Sequence, residues 1–251
     1  MIRIKGFLLV TIVVVFVIVH DLVQRTLLPL ALRLFPDKRE SILNVWGRWI
    51  AGGFVGMMRF TGAGDFPVQS VIPPDPDVLV LMNHQSLMDL PLAVLTIREG
   101  YPMVVTRARY AKWVPLISGI IRRLDFPTVD PQKRNKTDLV RLFRVARTTT
   151  RPVLLFPEGT RSRDGELQPF RQGALKVFLS KRQWKVYLVV ADGVWEYAKF
   201  VDVLFLKEKI NWKMKILGPF ESPENNEDFS GWIQEMEDQT REGLASLREG
   251  S

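Results

Sequence analysis

The chain has 251 residues, 47% hydrophobic and 25% charged, which excludes a disordered polypeptide and points to one main domain. Its lack of cysteine rules out a disulfide framework, a thiol nucleophile and thiolate metal ligands. The net charge of +8 suits an anionic partner, whether lipid headgroup, nucleic acid or small anionic substrate.

Residues 7–19 are apolar except for Thr11, and the usable run, 4–23, has about the 20 residues that span a bilayer core. A retained membrane helix is expected. A cleaved signal would need small residues after the run, where His20-Asp21-Leu22 stands. A buried helix or a re-entrant segment would also fit the run. Basic residues flank both ends (Arg3 and Lys5; Arg25, Arg33, Lys38 and Arg39), so charge bias does not set an orientation. A second apolar stretch, 44–60, carries Trp46 and Trp49, suited to a membrane interface, and Gly52 and Gly56, spaced to let two helices approach. Residues 1–60 are therefore expected to form a membrane-associated helical module, or failing that a hydrophobic hairpin packed on the domain. Residues 61–251 are expected to form an α/β domain with a C-terminal amphipathic helix.

Residues 62–77, rich in Gly, Pro and Asp, predict a linker or loop. Short apolar runs predict buried strands at 78–82, 103–105, 126–129, 153–156, 186–190 and 212–217. Helices are expected at 90–97, at 138–148 with Leu139, Leu142, Phe143 and Ala146 inward, at 172–179, and around Phe229, Trp232, Ile233 and Met236. This alternation argues for a mixed, largely parallel sheet flanked by helices.

Two short motifs about 70 residues apart carry the chemistry. Asn83-His84-Gln85-Ser86-Leu87-Met88-Asp89 follows a predicted strand, and strand carboxyl ends are where α/β folds bind ligands. His84 has a side chain that titrates near neutral pH and can take a proton from a hydroxyl; Asp89 is the nearest group to hold its tautomer. Ser86 and Asp89 also fit a helix cap, and Ser86 lacks the glycine elbow of a serine nucleophile. The second motif, Phe156-Pro157-Glu158-Gly159-Thr160-Arg161-Ser162, also follows a strand. Pro157 ends the ladder, Gly159 permits a turn, Glu158 is left to accept hydrogen bonds from substrate hydroxyls, and Arg161 offers a fork for phosphate. A surface turn with a Glu–Arg ion pair would fit the same residues. The other histidine, His20, lies in the first apolar segment.

Together the motifs resemble the glycerolipid acyltransferase family, most closely the bacterial 1-acyl-sn-glycerol-3-phosphate acyltransferases. The resemblance covers about residues 78–193, including Phe170-Arg171-Gln172-Gly173-Ala174 just past the second motif. It implies that His84 is the general base, that Asp89 orients it, and that Glu158, Gly159, Thr160 and Arg161 bind the acceptor. It also implies an acyl donor, acyl-CoA or acyl carrier protein, and a lysophospholipid acceptor. The expected location is the inner (cytoplasmic) membrane, with the domain facing the cytosol. No resident cofactor, metal or nucleic acid is expected. In the family's middle block an arginine stands where this chain has Pro131; Arg122, Arg123, Lys133 and Arg134 are the candidates to replace it. The apolar strand 186–190 lacks the family's proline. A different lysolipid acceptor, or a silent lipid-binding protein, are the rival readings.

Overall fold

The computed structural model describes residues 2–130, 136–224 and 228–249. Helix α1 (Ile2–Leu34) and helix α2 (Arg39–Phe60) are joined by a single 3-10 turn at Pro36–Lys38. Phe16 lies over Gly53, and His20 Nε2 accepts the Trp49 indole N–H at 3.1 Å, so the two helices run antiparallel. The inner stripe of α2 is Leu43, Gly47, Ala51, Val55 and Met58, spaced at one helical turn. A Cβ on Gly47 would stand 2.3 Å from the Tyr101 ring, and one on Gly53 2.8 Å from Phe16. Gly52 and Gly56, which the sequence marked for close approach, have nothing within 4 Å among the described residues. Gly53 is the glycine at the contact between α1 and α2, while Gly47 makes room for Tyr101 of the domain.

Helix α1 is long and apolar enough to cross a membrane by length and composition, and most of that surface is exposed. It is also held to the domain at both ends of its apolar run. Gly6 sits against the carbonyl of Val203. Asp21 Oδ1 accepts the Leu116 N–H at 2.7 Å, Gln24 donates to the Leu116 carbonyl at 3.0 Å, and Arg123 donates to the Gln24 carbonyl at 2.5 Å. At about 1.5 Å per residue, the stretch from Gly6 to Gln24 lies along the domain for roughly 27 Å. Ile4, Phe7, Val15, Ile18 and Leu22 face away from it. Trp113, three residues before the anchoring Leu116, is 96% exposed.

The domain follows as β1 (Gly64–Asp65), β2 (Val78–Met82), α3 (Asp89–Thr96), β3 (Met103–Val104), β4 (Thr106–Arg107), α4 (Ile117–Arg123), β5 (Thr128–Val129), α5 (Lys136–Thr148) and β6 (Val153–Leu155). It continues as α6 (Gln172–Leu179), β7 (Lys185–Asp192), β8 (Ile210–Asn211), β9 (Lys213–Glu221) and α7 (Phe229–Glu249). The main sheet has the order β3-β6-β2-β7-β9; the first four strands are parallel and β9 is antiparallel to β7. Every residue of β2 and β6 is buried, as unbroken apolar runs at the centre of a parallel sheet should be. Two parallel pairs, β1–β8 and β4–β5, stand beside it.

Three expectations change. Residues 62–77 are mostly loop, as expected, but form a docked segment and not a linker: Phe66 and Ile72 are fully buried, and the Ile72 N–H donates to the Thr96 carbonyl. Apolar side chains within that Gly/Pro-rich stretch anchor it. The strand expected at 126–129 forms only over Thr128–Val129, because Pro127 donates no ladder hydrogen bond. Leu139 on α5 is exposed, whereas Leu142 and Ala146 are buried as predicted.

Candidate active site

Strands β2 and β6 are parallel neighbours with Leu81 paired to Leu155, so their carboxyl ends deliver the two motifs side by side. The backbone of His84 is then clamped by the second motif. Its N–H donates to Glu158 Oε1 at 2.6 Å, and its carbonyl accepts the Ser162 N–H at 2.7 Å. The flanking side chains fasten the turn to the end of β7. Asn83 exchanges both amide hydrogen bonds with the Ala191 backbone at 2.8 Å, and Gln85 donates to Asp192 Oδ1 at 2.8 Å. Ser86 donates its hydroxyl to the Tyr197 carbonyl at 2.6 Å and accepts the Met88 N–H at 3.3 Å, which makes it a turn residue.

His84 Nδ1 lies 2.8 Å from Asp89 Oδ2. The same oxygen accepts the N–H groups of Gln85 at 2.6 Å and Ser86 at 2.7 Å, and the Asp89 side chain is only 1% exposed. Three donors converging on one buried oxygen fix the carboxylate in place as an acceptor. Nδ1 therefore carries the imidazole proton, and Nε2 is the acceptor. Phe156 stacks on the ring with centroids 4.2 Å apart, fixing its plane. Nε2 has no hydrogen-bond partner among the described residues, and His84 lines a cavity of about 1550 Å³.

Glu158 is not the free acceptor expected from the turn. It is 2% exposed, and its second oxygen accepts the Gln168 N–H at 2.8 Å. With Oε1 already on His84, the carboxyl ties the two motifs together and does not line the cavity. Burial pushes it up to about 7, while the two backbone donors pull the other way. Gly159 adopts φ +63°, and a Cβ there would stand 2.8 Å from Arg171. Thr160 and Arg161 line the cavity, and the Arg161 guanidinium also donates to the Ala198 carbonyl.

The cavity has two characters. Val13, Phe16 and Val17 of α1 and Ile50 and Phe54 of α2 give it an apolar wall. Arg107, Arg109, Arg161, Arg163 and Arg171 also line it, and none of these five belongs to an ion pair among the described residues. Arg107 donates to the Gly159 carbonyl; burial, then the neighbouring Arg109, holds its pKa below the usual arginine range. Pro131, Lys133 and Arg134 lie outside the described residues. Arg122 donates to Ala111 and Arg123 to Gln24, and neither lines the cavity. Arg107 does, on β4 in parallel register with Val129 of β5, the strand that precedes Pro131. Its signal in the sequence was the run Thr106-Arg107-Ala108-Arg109 straight after a short strand. His20 takes no part: its Nδ1 bonds the Phe16 carbonyl at 2.8 Å and its Nε2 bonds Trp49. No group of three or more His, Asp or Glu able to hold a metal is found among the described residues.

A parallel-rich sheet with a His–Asp pair at the carboxyl end of its central strand, beneath a covering helical hairpin, defines a fold already seen. The structure of a 1-acyl-sn-glycerophosphate acyltransferase from Thermotoga maritima superposes with a TM-score of 0.71 over 99% of this chain and 98% of that one, at 18% identity. Residues 65–190, half of the chain, match the family model described as Acyltransferase, and the chain belongs to that family. A 1-acyl-sn-glycerol-3-phosphate acyltransferase of Helicobacter pylori is 28% identical over 116 residues, covering 45% of this chain and 47% of its own length. One from Chlamydomonas reinhardtii is 27% identical over 115 residues, covering 43% and 32%. The matched segments thus span less than half of these curated relatives.

Proposed function

We propose that this protein transfers a fatty acyl group from a thioester, acyl-CoA or acyl carrier protein, to the free hydroxyl of a lysophospholipid. The acceptor proposed is 1-acyl-glycerol-3-phosphate and the product phosphatidic acid. The observation that carries this reading is a cavity in which an Asp-oriented histidine stands between an apolar wall and an arginine cluster. His84 Nε2 takes the hydroxyl proton as the oxygen attacks the thioester carbonyl. Asp89 stabilises the imidazolium. The tetrahedral adduct collapses, the C–S bond breaks, and His84 passes its proton to the leaving sulfur, which departs as the free thiol and restores the neutral imidazole. No covalent acyl-enzyme and no resident cofactor enter the scheme. The names of the relatives and the arginines favour a phosphomonoester headgroup over a neutral one.

The membrane is the proposed location. The exposed side of α1 would rest in lipid while the domain stays at the surface, where both acceptor and product reside. Basic residues add about 1 kcal/mol each toward anionic headgroups. Because acyl thioesters of this kind are cytosolic, the domain is proposed to face the cytosol.

The test is transfer of labelled acyl groups from acyl-CoA, and separately from acyl carrier protein, to a panel of lysolipids by purified detergent-solubilised protein. Transfer to lysophosphatidate is expected to fall about 10²–10⁴-fold in His84→Ala. Activity retained in that variant overturns the scheme; transfer only to another lysolipid reassigns the acceptor.

A further inference from the structure

The turn that carries His84 rests on two supports. On one side the Gln85 amide holds the end of β7: its Nε2 donates to Asp192 Oδ1 at 2.8 Å, and its Oε1 accepts the Val194 N–H at 3.3 Å. On the other side the His84 N–H donates to Glu158, whose other oxygen is held by the Gln168 N–H at 2.8 Å, from the loop after the second motif. These supports come from different parts of the chain, and no covalent connection sets the distance between them.

One guanidinium spans the gap. Arg248, in the last turn of α7, donates from Nε to Asp192 Oδ2 at 3.0 Å. From Nη2 it donates to the Gly165 carbonyl at 2.7 Å, and from Nη1 to Glu166 Oε1 at 2.8 Å. Gly165 has φ +84°, and a Cβ there would stand 3.1 Å from Arg248 Nη2, so the glycine lets the loop pass beneath the guanidinium. Helix α7 also lies outside residues 65–190, the segment matched to the family.

We infer that Arg248 is a positioning residue that sets the His84–Asp89 pair in register with the cavity by tying the β7 end to the loop after the second motif. It touches no substrate; it acts through Asp192 and Gln85 on one side, and through the Gly165–Gln168 loop and Glu158 on the other. The planar fork of arginine suits the task, because its N–H groups point in fixed and different directions. This inference rests on the reading of His84 as the base.

The experiment compares Arg248→Met, Arg248→Lys and Arg241→Met with wild type in the full-length protein. Arg241 lies on the same helix and pairs with Glu237, so its loss controls for charge and helix stability. Arg248→Met is expected to lower kcat about tenfold or more, as sub-ångström misplacement of a catalytic group does. Both KM values should stay within about twofold. Arg248→Lys should recover part of the loss, and Arg241→Met should match wild type. A kcat unchanged in Arg248→Met overturns the inference. So does a loss of kcat that arrives with a comparable rise in KM and a fall in melting temperature, or a lysine variant no better than the methionine one.

A second readout does not depend on activity. The chain has two histidines. The ring ¹⁵N resonances of His84, assigned with a His20→Asn control, should shift in Arg248→Met and not in Arg241→Met. Unshifted resonances overturn the inference even if the protein transfers no acyl group, an outcome that would by itself defeat only the proposed function.

Discussion

Asp89→Asn isolates the charge behind His84. Three N–H donors converge on Oδ2, at 2.6 to 2.8 Å, so the asparagine carbonyl must face them. Its amide nitrogen then takes the place of Oδ1, a buried atom with no hydrogen-bond partner among the described residues. The imidazole keeps its tautomer and its orientation, and only the negative charge is lost. With charge centres about 4 Å apart and an effective dielectric near 20, the carboxylate–imidazolium attraction is roughly 4 kcal/mol. At about 1.4 kcal/mol per decade that is close to 10³-fold in rate. An unpaired buried amide costs about 1–3 kcal/mol of stability, so the variant should fold but melt earlier. Thiol release from acyl-CoA, followed with a chromogenic disulfide reagent, reads the rate without background because the chain has no cysteine. The expected result is kcat down about 10³-fold with KM nearly unchanged. A folded variant within tenfold of wild-type kcat, or one whose loss lies entirely in KM, refutes the reasoning.

Arg107→Ala should raise the KM for lysophosphatidate about tenfold, the value of one charge-assisted hydrogen bond, and leave a neutral-headgroup lysolipid untouched; equal effects on both acceptors would assign Arg107 to the Gly159 turn alone. Gly47→Ala should destabilise by about 1–3 kcal/mol through overlap with Tyr101, whereas Gly52→Ala should be neutral or slightly stabilising, as thermal melts in detergent will read. The Glu158 carboxyl has a folded pKa raised by burial to about 7, above its unfolded value of 4.5. Its contribution to stability is therefore complete below the unfolded value and is lost as pH rises through about 7, a change of up to about 3 kcal/mol. The melting temperature should fall between about pH 5 and pH 8, and Glu158→Gln should flatten that dependence.

Much of the molecule was legible without coordinates where the signal is local. The apolar runs read at 78–82 and 153–156 contain the buried central strands Val78–Met82 and Val153–Leu155, and of the stripe Phe229, Trp232, Ile233 and Met236 the last two are buried on α7. His84 and Asp89 sit five residues apart on one turn, so their pairing needs only the end of a strand and the start of a helix. The membrane-length helix is a run of adjacent residues, and composition alone identifies it.

What composition could not decide was which of several similar residues faces a neighbour. Gly53 lies in the contact between α1 and α2 and Gly47 against Tyr101, while Gly52 and Gly56 meet nothing within 4 Å among the described residues, because packing angle and register choose among glycines. The Glu158 carboxyl looked available in the chain but is consumed by N–H groups of His84 and Gln168 once strands β2 and β6 lie side by side. Arg107 reaches the cavity because β4 pairs with β5, and Arg248 reaches the His84 turn across more than 160 residues of sequence through Asp192. Side-chain chemistry and short-range periodicity are written in the order of residues. The partner of a buried donor or charge is set by which distant strands and helices pack together, and only the folded chain contains that information.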